Sequence, residues 1–187
     1  MNNQEFRILS ATAILGYGFP IASFEEGMKR SPHLIAVDAG STDPGPYYLG
    51  AGVSFTDRNA VKRDLEIMIK AGVEHGIPIS IGTAGGSGGE PHLKWNREII
   101  EEIARENDLH FKLAIIHAEL DKDVIKQELM AGRITPLDPA PALTEETIDK
   151  TTRIVAQMGV QPFIVHTKPE RRFYWQDAHM TRLFSRR

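Results

Sequence analysis

The chain contains no cysteine, which removes disulfides, zinc-thiolate sites and cysteine nucleophiles together. Any metal must therefore be held by His, Asp or Glu. No stretch approaches about 18 uninterrupted apolar residues, so no membrane-spanning helix is expected. Residues 1–10 lack the basic start and long apolar core of a secretory signal, which makes a cytoplasmic location the expectation. An excess of positive charge is also missing: a formal net charge of -3 over 187 residues argues against a nucleic-acid-binding surface across the whole chain. With 41% hydrophobic and 25% charged residues, neither wholesale disorder nor a fibrous repeat fits, and the length suits one core.

Glycine is present in a concentrated patch. Residues 81–92 read Ile-Gly-Thr-Ala-Gly-Gly-Ser-Gly-Gly-Glu-Pro-His, between an apolar run that reads as a strand and a segment whose Leu93, Ile99, Ile100 and Ile103 recur at helical spacing. Clustered glycine is tolerated where φ must be positive or where a Cβ would block another backbone or a ligand. A loop at a strand's carboxyl end, beside a helix N-terminus, is a ready anion site. The patch matches neither G-x-G-x-x-G nor a Walker A, so no nucleotide is implied. Two readings stand: a ligand-facing loop in which Gly85, Gly86, Ser87, Gly88, Gly89 and Glu90 bind, or a plain mobile turn.

The rest of the chain alternates strand-like and helix-like segments. Residues 6–13 read as a first strand and residues 21–30 as a short helix. The apolar run 34–37 suits a strand covered on both faces, with Asp38 at its end. Residues 38–50 form a long Gly- and Pro-rich loop carrying Asp38 and Asp43, which suit a cation, a substrate hydroxyl or base catalysis, and equally suit turn capping. Thr56 or Asp57 caps a helix with Val61, Leu65, Met68 and Ile69 on one stripe and Gly76 at its end. Residues 111–118 read as a further strand ending in His117, Glu119, Asp121 and Lys122. The alternate spacing of His117 and Glu119 points both to one face, suiting a metal or an acid-base pair, or an ordinary hydrogen-bonded histidine. Residues 121–132 read as a helix, 133–143 as an extended proline-rich surface linker, 145–158 as a helix and 160–165 as a strand. The repeated βα pattern predicts a three-layer, Rossmann-like α/β domain with a mainly parallel sheet.

Four stretches, residues 8–20, 38–50, 82–92 and 117–123, together resemble the N-terminal part of the acyclic terpene utilisation AtuA family, collinearly over about residues 6–164. The resemblance implies a bacterial catabolic setting, including breakdown of citronellol-type terpenoids, without supplying a reaction or a cofactor. It divides the chain into an AtuA-like domain over residues 1–164 and a divergent basic tail over 165–187. From Lys168 onward six Lys/Arg face only Glu170 and Asp177, the pattern of a truncated or frame-shifted product or of a short natural variant. Such an end leaves an open sheet flank for self-association or a partner subunit. Its Arg171, Arg172, Phe173, Tyr174 and Trp175 offer a weaker reading as a nucleic-acid or membrane contact, against the commoner role of a solvated tail.

The functional expectation is a small anionic or acyl-CoA-type ligand bound at the glycine loop. Asp38, Asp43, His92, His117 and Glu119 are the candidates for proton transfer or metal ligation. The alternative is a non-catalytic binding or assembly module, or an inactive fragment.

Overall fold

The computed structural model describes residues 5–40, 45–157, 159–167 and 178–185. Its elements are β1 (Ile8–Leu9), α1 (Ile21–Met28), β2 (Leu34–Asp38), α2 (Gly45–Ala51), α3 (Arg58–His75), β3 (Ile79–Gly82), α4 (Glu90–Glu106), β4 (Phe111–His117), α5 (Lys122–Met130), α6 (Glu145–Lys150), α7 (Gln161–Thr167) and β5 (Ala178–Ser185). The fold is mixed α/β. One sheet has the order β1-β2-β3-β5-β4, with β1, β2 and β3 mutually parallel and β5 antiparallel to both β3 and β4. Because β5 opposes both of its neighbours, β4 runs in the same sense as β1 to β3. Their carboxyl ends share one edge.

Alternation along the strands assigns the faces. The paired positions Leu9, Ile35 and Ile79 lie on the face that α1, α3 and α4 cover. There Val61, Leu65, Met68 and Ile69 of α3 and Ile99, Ile100 and Ile103 of α4 are essentially inaccessible to water, each such side chain contributing about 2 kcal/mol. The other face is less covered. Ile116 is buried beneath Val155 and Phe163, while Leu34 and Ala36 are only half-buried and Ile8 is 59% exposed. Covering of β2 on both faces, expected from its continuous apolar run, is therefore not found.

Local chemistry explains where elements start and stop. Asp57 caps α3 by accepting from the N–H groups of Asn59 and Ala60, and Gly76 ends it at φ 66°, a left-handed conformation that suits glycine. β1 is much shorter than the expected 6–13, since the Ser10 and Thr12 hydroxyls donate to the carbonyls of Thr12 and Ile14, local bonds that compete with a ladder. The loop 38–50 contains α2. The helix expected over 145–158 stops at Lys150, where Thr151 turns extended. Residues 154–156 then run beside 118–120, joined by Leu120 N–H to Ile154 O at 2.8 Å and Ala156 N–H to Ala118 O at 3.0 Å. The strand expected over 160–165 is instead α7, closed by Ile164 N–H to Val160 O at 3.1 Å. Pro162 sits in its first turn, where the missing N–H costs nothing. Strand β5, absent from the sequence reading, falls in the basic end, whose residues 168–177 lie outside the described residues.

Asp64 organises the turn after β1. It is fully buried, and its Oδ2 accepts from the N–H groups of Gly16 and Gly18, each at 3.0 Å. Arg63 Nη1 donates to Oδ1 at 2.9 Å, so the buried carboxylate has partners on both oxygens.

Candidate functional site

The glycine loop leaves β3 through a run of left-handed residues: Thr83, Gly85, Gly86 and Gly88 have φ of 46°, 79°, 110° and 73°. Gly86 N–H donates to Thr83 O at 2.8 Å, closing the first turn. Gly85, Gly86, Gly88 and Gly89 are buried, while Ser87 is half-buried. What approaches them is the protein's own chain. A Cβ on Gly85 would lie 2.1 Å from the carbonyl oxygen of His92, and one on Gly86 would lie 3.1 Å from the Phe55 ring. The glycines thus let the loop pack under the α2–α3 connection and against the first turn of α4.

Two side chains brace that connection from below. His92 is buried, and its Nε2 sits 3.0 Å from Tyr48 O and 3.1 Å from Val53 O. Two carbonyl acceptors require Nε2 to carry the proton, which makes Nδ1 an acceptor; that buried atom has no hydrogen-bond partner. Arg153 Nη1 donates to Leu49 O at 3.1 Å and Gly50 O at 2.7 Å, at the C-terminal end of α2 where a cation is favourable. His92 is accordingly a brace between elements, facing inward. Arg153 escapes the sequence reading because it falls within the helix expected over 145–158; that helix ends at Lys150, and the pairing of 154–156 with 118–120 delivers Arg153 here.

The polar cluster proper forms where β4 ends and α4 begins. His117 Nδ1 donates to Glu90 Oε1 at 2.6 Å, with side chains 32% and 48% exposed. Glu90 N–H in turn donates to Glu119 Oε2 at 2.8 Å, so the Glu119 carboxylate satisfies an N-terminal donor of α4. Arg153 Nε lies 3.8 Å from the same oxygen. Glu90, His117, Glu119 and Arg153 are therefore one connected group. A half-exposed imidazole whose Nδ1–H is fixed by a carboxylate presents Nε2 as a proton acceptor.

Asp38 stands apart from this group. It ends β2 opposite Gly82, is exposed, and its Oδ1 accepts from Gly40 N–H at 2.9 Å. A Cβ on Gly40 would lie 2.9 Å from Gly86 O, so Asp38 borders the glycine loop. Between β2 and β4 lie β3 and β5, a separation of three strand spacings or roughly 14 Å. The carboxyl edge carries two neighbouring polar regions. Asp43 lies outside the described residues.

Among the described residues no group of three or more His, Asp and Glu side chains is arranged to hold a metal, and no helix is long and apolar enough to cross a membrane. In comparisons with known proteins, no family model, no curated protein and no solved structure matches this chain.

Proposed function

We propose that this chain corresponds to the N-terminal part of an AtuA-like cytoplasmic catabolic protein, and that it binds a small carboxylate or acyl-CoA-type ligand at the carboxyl edge of its sheet. The observation that carries this reading is the 2.6 Å contact of His117 with Glu90, beside the N-terminus of α4. In the proposed step, His117 Nε2 accepts a proton from the ligand, and the Glu90 carboxylate stabilises the imidazolium that forms. Glu119 and Arg153 hold Glu90 in register. The two carboxylates Glu90 and Glu119 make the surroundings of His117 unfavourable for a bare anion. The uncharged, reacting part of the ligand therefore sits at His117, and its charged end points away. We read the sheet as the centre of a three-layer Rossmann-like domain, a reading supported by four co-directional strands and by apolar side chains on the less covered face.

A second reading is favoured by the burial of Gly85, Gly86, Gly88 and Gly89: the loop is an architectural joint, and the chain is a binding or assembly module without catalysis. Thermal melting with short-chain carboxylates and acyl-CoA thioesters separates the two, because a ligand at 100 times its Kd stabilises by about 2.7 kcal/mol. The catalytic reading expects stabilisation by a thioester, and exchange of the acyl α-hydrogen in D2O that is lost in His117→Gln while the variant's own melting temperature holds. No stabilisation by any of these ligands would leave the module reading in its place, and exchange that survives His117→Gln would remove His117 as the base.

A further inference from the structure

About one helical turn beyond the His92 brace, α4 sends a second polar side chain into the core. Asn96 follows His92 by four positions, so the two share a face of the helix. A helical side chain leans toward the N-terminus, which brings the Asn96 amide toward the His92 ring. His92 is 1% exposed and Asn96 is fully buried. The same face continues with Ile99, Ile100 and Ile103, each essentially inaccessible to water, and their hydrocarbon offers a polar atom no partner. Among the described residues, His92 Nδ1 and both Oδ1 and Nδ2 of Asn96 lack a hydrogen-bond partner. Buried donors and acceptors are as a rule paired, with protein or with ordered water. Three orphaned atoms on neighbouring turns of one helix therefore mark a place where a small polar molecule belongs.

We propose that one internal water is held between His92 and Asn96, bridging Nδ1 of the first to the amide of the second. The pattern of donors and acceptors selects this occupant. His92 Nε2–H is already committed to Tyr48 O and Val53 O, at 3.0 and 3.1 Å, so Nδ1 offers only a lone pair. Asn96 adds a second acceptor in Oδ1 and a donor in Nδ2. The guest must donate twice and accept once. Water does so and is small enough for an internal site. A carboxylate or phosphate ion has too few protons to give, a metal or ammonium ion has no lone pair for Nδ2–H, and an alcohol donates only once. Held as an acceptor, Nδ1 keeps the ring proton on Nε2, the form that ties Tyr48 and Val53 to α4. The water is thus part of the joint over the glycine loop, independent of the chemistry proposed for His117.

Nuclear magnetic resonance of the nitrogen-15-labelled full chain tests this. The side-chain amide protons of Asn96 are expected to show cross-peaks to water of opposite sign in NOESY and ROESY spectra, the mark of a held molecule and not of proton exchange. His92 Nδ1 is expected at the chemical shift of a hydrogen-bonded acceptor. Asn96→Leu removes two of the three atoms that hold the water and fills its place, so Nδ1 moves to the shift of an unbonded imidazole nitrogen. Asn96→Ser keeps a donor and an acceptor at that position, and Nδ1 stays near its wild-type shift. Far-UV circular dichroism establishes that each variant is folded, and the wild-type cross-peaks decide the matter without any variant. Their absence overturns the proposal. So does a His92 Nδ1 shift that a folded Asn96→Leu leaves unchanged.

Discussion

His117 and Glu90, 27 positions apart, meet at 2.6 Å because β4 ends level with the start of α4. The contact fixes the tautomer: a carboxylate can only accept, so Nδ1 must carry the proton. Nitrogen-15 chemical shifts of the imidazole are expected to report the Nδ1–H form in the wild type. In Glu90→Ala they should move toward Nε2–H, the form this contact disfavours. An unchanged tautomer would mean that the pair does not form in solution.

Asp64 predicts a large stability effect at a position with no catalytic role. Its removal would orphan the N–H groups of Gly16 and Gly18 and the guanidinium of Arg63. Asp64→Ala is expected to cost about 2–4 kcal/mol by urea denaturation. Asp64→Asn should cost less, because one amide oxygen still serves both backbone donors.

Gly85 and Gly132 offer a matched comparison, since both have positive φ and only one is crowded. A Cβ on Gly132 meets nothing within 4 Å, so Gly132→Ala pays only the left-handed strain of about 1–2 kcal/mol. At Gly85 the same methyl would collide with the His92 carbonyl, and Gly85→Ala is expected to cost at least about 3 kcal/mol. Equal melting temperatures for the two variants would show that the loop does not pack as described.

Acid should weaken the joint between α3 and α4. Glu102 accepts from Arg58 at 2.5 Å and from Lys62 at 2.5 Å, and these hydrogen bonds, Arg58 first, hold its carboxyl down to about 2 from the ordinary 4.5. A depressed folded-state value means that the stabilisation is complete above about pH 4.5 and is lost as pH falls toward 2. Glu102→Gln should lower the melting temperature at pH 7 and flatten its dependence on pH across that window.

The sequence by itself determined the alternating elements, the apolar stripe of α3, its start at Thr56 or Asp57 and its stop at Gly76, and the helical run of Leu93, Ile99, Ile100 and Ile103 after the glycine loop, because periodicity and capping are encoded within a few neighbouring residues. It also marked His117, Glu119 and the glycine patch as belonging to one edge, since the carboxyl ends of co-directional strands gather there. Only the tertiary structure decided that Glu90, read as a loop ligand, is the partner of His117, that His92 faces inward as a brace, and that Arg153 joins them from an irregular segment. It likewise placed β5 between β3 and β4 and filled the space over the glycines with Phe55. These outcomes rest on contacts between residues tens of positions apart, whose free energies depend on which surfaces meet and leave no periodic trace in the chain.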